Sequence, residues 1–306
     1  MKNVFCPKVI ECRRTSLERV YGLGIVDTSR ALGAFNEKCK RKAPFQSPYI
    51  VQRETICQPA QHPFDGLQEE EIQYLLLTYG LFKPDAWRRA GKLVKKWKEE
   101  GLYEKLEKEY QYLKKVWNGP EVPVYLYPFQ EGGSFLRESK ENKGGVAFKE
   151  GLYLFYGAPV KEEDWKAVLA HEYNHVCRLT EKNVDMERVT LLETLVIEGL
   201  GEYAVKEVYG KDYISPWTNQ YTDKQLSKLW IDKFMGNLSN RERESQMDFL
   251  YGNKKRGLPR WAGYQIGYKI IESYHKAHPD QNLPRMMKRE ADDLVKGSSF
   301  PLAESE

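Results

Sequence analysis

Residues 171–175 read HEYNH, and they lie inside a segment, 162–179, whose apolar residues recur at helical spacing. On a helix, His171 and His175 are one turn apart on the same face, so both imidazoles can reach one zinc ion at about 2 Å each. Glu172 can reach a water molecule on that metal without binding the metal itself. About one chain in a hundred of this composition would show such a frame by chance. The pattern predicts a zinc-dependent hydrolase in which the two histidines bind Zn2+ and Glu172 is the general base, then the general acid.

A catalytic zinc ion needs a third protein ligand, and the next predicted helix, at about 189–208, offers one. Its sequence LLETLVIEGLGEY, at 191–203, is strongly apolar, and a glutamate in such surroundings is costly unless it is paired or bound to a metal. Glu198 is the predicted third ligand, because the small glycines beside it would let this helix approach the first one closely.

Glu202 lies one turn after Glu198 and therefore on the same face of the helix. We expect it to accept the free ring N–H of a ligand histidine, a bond that fixes the orientation of the ring. Glu202, Glu193 and Asp185 remain alternatives for the third ligand. Of these, Glu193 is about 140° around the helix from Glu198, and we interpret it as structural. Cys177 points away from the ligand face and is interpreted as a packing residue.

The HEYNH frame, followed by IEGLGEY at 197–203, resembles the gluzincin metallopeptidases, whose second active-site helix supplies a glutamate ligand. More narrowly, the chain resembles the bacterial YjaZ-type family of predicted Zn-dependent proteases over about residues 65–285. The stretches that carry this resemblance are WNGP (117–120), GVAF (145–148) and PRWAGYQIGY (259–268). Two features depart from the gluzincin pattern. The gap between His175 and Glu198 is longer than in the best-known members, and Gly201 stands where alanine is more usual.

The resemblance implies a zincin-like fold and two further parts of a peptidase site. The strand predicted at 151–156 would be the edge strand along which an extended peptide pairs through main-chain hydrogen bonds. A downstream tyrosine or histidine would donate a hydrogen bond to the oxyanion of the tetrahedral intermediate. Tyr264 is the candidate, because Gly263 leaves room beside it. Tyr268 is the alternative, and the two tyrosines also fit an ordinary aromatic stripe at core spacing.

The apolar pattern changes its period along the chain. It is helical over three stretches before the HEYNH segment, at 67–82, 84–100 and 103–117. It is rich in β-branched and aromatic residues at 122–127 and 151–156. We therefore predict an α+β, mostly helical chain with a small mixed sheet over the active-site helix and a helical carboxyl-terminal subdomain that closes the cleft.

The predicted metallopeptidase domain spans residues 66–300. It divides into a helical lead-in (66–118), the sheet with the active-site helices (119–209), and the carboxyl-terminal helical subdomain (210–300). In residues 1–65, proline, glycine and cysteine are scattered among charges, and we predict an irregular segment of unknown role.

The composition narrows the classes of partner. The 48 basic and 44 acidic residues are mixed throughout and leave a formal charge of only +4, which gives no reason to expect nucleic acid as a partner. No run approaches the roughly 20 apolar residues that cross a bilayer, and the amino terminus lacks the apolar core of a signal peptide. The five scattered cysteines include no C-x-x-C pair. We expect a cytoplasmic protein with a peptide or protein substrate, and the sequence leaves its oligomeric state open.

A zinc metallopeptidase is the predicted function, and two alternatives use the same residues. In the first, the zinc site is structural or weakly catalytic, and the lysine-rich helices recruit a partner. In the second, the hydrolase acts on a non-peptide amide. An open fourth metal position beside Glu172 would favour an enzyme over a binding protein.

Overall fold

The structure, a computed structural model, describes residues 24–41, 46–61, 63–64, 66–130, 142–186 and 188–302. The chain divides into two compact units, Met1–Glu172 and Tyr173–Glu306. The boundary falls inside a single long helix, α6 (Glu162–Lys182), which carries the HEYNH frame. The relative position of the two histidines is therefore set by one continuous helix.

Among the described residues of the first unit, five α-helices come before α6. They are α1 (Ser29–Arg41), α2 (Pro48–Gln52), α3 (Glu69–Tyr79), α4 (Trp87–Glu99) and α5 (Leu102–Trp117). Their ends follow local chemistry: Gln68 and Glu71 form a reciprocal capping box at the start of α3, and Asn118 adopts the left-handed conformation that ends α5. Helices α3 to α5 correspond to the three helical stretches that the apolar periodicity predicts.

Where the structure describes the segment 1–65, that segment is not irregular. It contains a strand, β1 (Gly24–Val26), besides α1 and α2, and Leu32 and Phe35 of α1 are fully buried. The strand has three residues, and the apolar face of α1 consists of a few residues among charges, so neither gives a periodic run long enough to be recognised. Residues 1–23, which include Cys6 and Cys12, lie outside the described residues.

Four strands form one mixed sheet in the order β1-β2-β4-β3. The later strands are β2 (Pro123–Pro128), β3 (Lys143–Phe148) and β4 (Gly151–Tyr156). Strands β1, β2 and β4 run parallel, and β3 runs antiparallel to β4. All residues of β2 and β4 are buried, as expected of strands covered on both faces. The predicted α+β class, mostly helical with a small mixed sheet, is confirmed.

The edge of this sheet is not the strand that the resemblance implied. Strand β4 lies between β2 and β3 and pairs with both, so its hydrogen-bonding groups are already used. The outer side of β3 pairs with no strand among the residues that the structure describes. The prediction that 151–156 is the edge strand is therefore wrong. Strands β3 and β4 form a hairpin that places β3 outside β4. The sequence KGGVAF of β3 has no regular alternation of apolar and polar residues, so periodicity does not predict this strand.

The second unit is helical in the part that the structure describes. After the end of α6 come α7 (Leu191–Tyr209), α8 (Asp223–Leu229), α9 (Arg243–Tyr251), α10 (Ala262–Ala277), α11 (Leu283–Met286) and α12 (Ala291–Lys296). Thr190 caps the start of α7, because its side chain accepts a hydrogen bond from the backbone N–H of Glu193. Its apolar residues are buried all around the helix, which makes α7 the central element of this unit.

Helices α7 and α10 touch backbone to backbone at two glycines. A Cβ added at Gly199 would lie 2.1 Å from the carbonyl oxygen of Gly267, and one at Gly267 would lie 2.2 Å from that of Leu195. The prediction that the glycine next to Glu198 lets α7 approach α6 is therefore wrong for Gly199, because this glycine faces α10. The sequence shows that a close approach is needed, but not which helix approaches.

In the part of the chain that the structure describes, no helix combines the length and apolar character required to cross a membrane.

Candidate metal centre

Helix α6 begins against the sheet. Its first turn carries Glu162, Glu163 and Asp164, which are favourable at the positive end of the helix dipole. Asp164 accepts a hydrogen bond of 2.6 Å from the ammonium group of Lys143 on β3. The hydroxyl of Tyr156 on β4 donates to the carbonyl of Trp165 at 3.1 Å. Two neighbouring strands thus hold the start of the helix that carries the HEYNH frame.

Glu172 is almost completely buried, with 8% of the residue exposed, and it contacts β3. A Cβ built on Gly145 would lie 2.5 Å from Cγ of Glu172 and 2.9 Å from Cδ. The glutamate also lies near the phenol of Tyr156. Burial raises the pKa of Tyr156 well above its usual value, and the negative charge of Glu172 adds to that rise. The carboxylate predicted to act as a base therefore lies under the sheet, against β3.

His171, His175 and Glu198 come together. Each offers one ligand atom, and these atoms lie within 4.8 Å of one another. Among the described residues, this is the one group of at least three histidine, cysteine or acidic residues that could hold a metal ion. Nε2 of His175 is 3.6 Å from Oε2 of Glu198. Two donors bound to one zinc ion at about 2.0–2.1 Å in tetrahedral geometry are about 3.4 Å apart. The spacing of this pair is close to what a shared metal ion requires.

The donor types of this group also fit zinc. Two imidazole nitrogens and one carboxylate oxygen are a ligand set that catalytic zinc sites use, and they leave the fourth tetrahedral position for water or substrate. His171 and Glu198 are partly exposed, whereas His175 is buried. A site whose donors are partly exposed can admit water, as a catalytic metal requires and a closed structural site does not.

Glu202, the predicted partner of a ligand histidine, is 2% exposed. Its carboxylate accepts hydrogen bonds from Ser215, through one oxygen from the backbone N–H and through the other from the hydroxyl at 3.3 Å. These bonds anchor Glu202 to the segment that follows α7. The bond from Glu202 to a ligand histidine stays a prediction.

Glu193, one of the alternative third ligands, forms an ion pair instead. Both of its oxygens accept hydrogen bonds from the guanidinium of Arg178, at 2.8 and 2.9 Å. The side chain of Arg178 is completely buried. The pair accounts for a glutamate in the apolar sequence of α7, in agreement with the structural interpretation of Glu193.

Tyr264 lies in an aromatic cluster formed with Trp217, Tyr251 and Trp261. Its hydroxyl donates to the hydroxyl of Tyr251 at 2.8 Å. The prediction that Gly263 leaves room beside Tyr264 is wrong, because a Cβ on Gly263 would lie 2.5 Å from the carbonyl oxygen of Phe249. The oxyanion role of Tyr264 stays a prediction.

Tyr268 has a different environment. Its hydroxyl donates to a carboxylate oxygen of Glu272 at 2.9 Å. Burial raises the pKa of Tyr268 well above its usual value, and the nearby charge of Glu272 raises it further. This phenol is therefore protonated at neutral pH and already donates a hydrogen bond to a carboxylate.

Cys177 packs as expected. It is buried, and burial raises the pKa of its thiol to about 12. A thiol with such a pKa is protonated at neutral pH and is not an activated nucleophile.

Two residues next to this group did not stand out in the sequence. Arg178 is three residues after His175 and therefore on the ligand face of α6. An arginine within an apolar stripe is the sequence feature that could have drawn attention to it. Gly145 contacts Glu172. Its sequence feature is a glycine inside a strand, which often marks a place where another group approaches the backbone closely.

Residues 102–296 match a family described as a predicted Zn-dependent protease (DUF2268). The uncharacterized protein YjaZ of Bacillus subtilis (strain 168) is 36% identical over 215 residues, which cover 69% of this chain and 81% of that protein. The uncharacterized protein YjfC of the same organism is 27% identical over 120 residues, 37% of this chain and 40% of that protein. No solved structure matches the chain significantly.

Proposed function

The chain belongs to the family of predicted Zn-dependent proteases, and on that premise we propose that it is a zinc metallopeptidase of the gluzincin type. The observation that carries this proposal is the convergence of His171, His175 and Glu198, whose ligand atoms lie within 4.8 Å of one another. The proposed peptidase domain spans residues 66–300, which include the matched range 102–296.

His171, His175 and Glu198 would hold the zinc ion. When bound, zinc supplies the Lewis acidity that brings the pKa of a water molecule close to neutrality. Glu202 would orient a ligand histidine, while its bonds to Ser215 hold the carboxylate in place.

Glu172 is the proposed proton carrier. It accepts a proton from the attacking water as the water oxygen bonds to the scissile carbonyl carbon. It then delivers that proton to the amide nitrogen as the C–N bond breaks. The near-complete burial of Glu172 supports this role, because a carboxylate shielded from bulk water interacts more strongly with a reacting group. Tyr264 is the proposed hydrogen-bond donor to the oxyanion.

Strand β3 is the proposed binding edge for an extended peptide substrate. No strand among the described residues pairs with its outer side, which supports the addition of one more strand by main-chain hydrogen bonds. Gly145 on this strand is in contact with Glu172, which supports the delivery of a bound peptide close to the proton carrier. A small sheet above the helix that carries HEYNH is the arrangement expected of a zincin-like fold.

The proposal is tested by metal analysis and peptide-library cleavage of the wild type and Glu172→Gln. We expect one zinc per chain in both proteins and cleavage by the wild type alone, since glutamine cannot carry the proton. Glu181→Gln is the matched control: it is the same substitution on the same helix, at a side chain that is 44% exposed, and it should cleave at the wild-type rate.

Full activity of Glu172→Gln would contradict the mechanism. One zinc per chain without peptide cleavage by the wild type would contradict the peptidase. That result would favour the alternative in which the metal site belongs to an interaction protein. Cleavage of small non-peptide amides would then show instead that the protein is a hydrolase with a non-peptide substrate.

A further inference from the structure

Gly145 lies in β3 at a place where its lack of a side chain matters. The residue is buried, and a Cβ added there would lie 2.5, 2.9 and 3.1 Å from Cγ, Cδ and Oε1 of Glu172. Real Cβ atoms essentially never show contacts under 3.0 Å, so one of the two groups would have to move. The φ angle of Gly145 is not in the left-handed region, so backbone conformation does not explain this glycine.

The start of α6 is held against this face of the sheet. Side chains two apart on a strand share a face, so Lys143 lies on the same face as Gly145. Lys143 bonds to Asp164 in the first turn of α6. Tyr156, which pairs with Lys143 across the sheet and therefore shares its face, bonds to the carbonyl of Trp165. These two bonds resist movement of the helix away from β3.

A clash at Gly145 would therefore be relieved by the Glu172 side chain rather than by the helix. Any side chain at position 145 would occupy the volume that Cγ and Cδ of Glu172 fill, and the carboxylate would have to adopt another rotamer. We infer that Gly145 is a positioning residue: its missing side chain sets where the carboxylate of Glu172 lies. The inference rests on the proposed function only because that function makes Glu172 the proton carrier.

Thermal unfolding of metal-free protein tests the contact without any need for activity. Gly145→Ala should lower the Tm of the wild type by about 3 °C or more, because overpacking in a buried place is destabilising. In the Glu172→Ala background the same change should lower the Tm by less than about 1 °C, because the three contacting atoms are gone.

Gly33→Ala is the control for this double-mutant cycle. No atom lies within 4 Å of a Cβ built on Gly33, so its effect on the Tm should be the same in both backgrounds. Equal falls for Gly145→Ala in both backgrounds would overturn the inference.

Zinc content and kinetics test the consequence. Gly145→Ala should keep one zinc per chain, because it touches none of the three ligands. On a fluorogenic peptide built from the best-cleaved library sequence, its kcat should fall about 100-fold with KM unchanged, as expected when a reacting group is displaced by about 1 Å. A wild-type kcat would overturn the inference. If the wild type cleaves nothing, the proposed function fails, and the Tm cycle still decides the contact.

Discussion

The guanidinium of Arg178 and the carboxylate of Glu193 form a two-pronged ion pair that joins α6 to α7. Nε and Nη2 donate to the two carboxylate oxygens at 2.8 and 2.9 Å, and Nη1 donates to the carbonyls of Met287 and Arg289. Arg178 is three residues after His175, so the pair lies one turn along the helix from that proposed zinc ligand. It braces the two helices that carry the candidate metal centre.

Glu193→Ala should lower the free energy of unfolding by about 3 kcal/mol, because it leaves the buried charge of Arg178 unpaired. Urea denaturation measures the change. Glu37→Ala is the control, because it removes pairs with Lys40 and Arg41 in which every side chain is more than half exposed. It should leave the midpoint nearly unchanged. Similar midpoints for the two variants would contradict the bracing role of the pair.

Glu198→Ala should bind zinc much more weakly than the wild type. Saturating zinc should raise the Tm of the wild type, since a ligand at about 100 times its Kd stabilises the folded state by about 2.7 kcal/mol. The variant should show little of that rise. Glu207→Ala changes an exposed glutamate on the same helix and should respond to zinc like the wild type. An unchanged rise in Glu198→Ala would place the third ligand elsewhere.

Tyr264→Phe and Tyr268→Phe should differ in kinetics. If Tyr264 donates to the oxyanion, its loss should lower kcat by about 10²–10³-fold with little change in KM. Tyr268→Phe should keep kcat and lose stability, because its hydroxyl bonds to Glu272. Steady-state kinetics on a library-derived peptide separates the two, and the reverse result would assign the oxyanion role to Tyr268.

Glu272 should make the stability of the protein depend on pH. Burial alone would raise its pKa, but hydrogen bonds from Lys206, Lys269 and Tyr268 outweigh burial and lower the pKa to about 2 from an ordinary 4.5. A lowered pKa stabilises the folded state fully above about pH 4.5, and that contribution is lost as the pH falls towards 2.

Urea denaturation of metal-free wild type and Glu272→Gln at several pH values measures this contribution. The advantage of the wild type should shrink below about pH 4.5 by at most about 1.4 kcal/mol for each pH unit. The fall should be smaller than this limit because 28% of the Glu272 side chain is exposed to solvent. A difference between the two proteins that is the same at about pH 6 and about pH 3.5 would contradict the prediction.

Helical periodicity located α3, α4 and α5 before the structure was known, because each presents a long apolar stripe. The sequence pattern could not show that β3 lies outside β4, since pairing between strands depends on residues far apart in the chain. The same limit applies to β1, a three-residue strand that pairs with β2 about a hundred positions later.

At the candidate site, the two histidines were predictable because four residues make one helical turn. Glu198 was reached by chemical argument, as a carboxylate in an apolar helix, and the structure brings it to the histidines. The same argument applied equally to Glu193, whose partner Arg178 lies on another helix. The space around a residue, as at Gly263, is set by tertiary packing and has no local signature.

The contact between Gly199 and Gly267 has a consequence for recognising distant relatives. Each position is occupied by backbone of the other helix, so neither can accept even a methyl group without separating α7 from α10. A chain with two histidines and a glutamate at suitable places, but a larger residue at either glycine, cannot build this helix crossing. Glycine at both positions, the one after the proposed third ligand and its distant counterpart, is therefore a criterion for chains that could build this crossing, independent of the HEYNH frame.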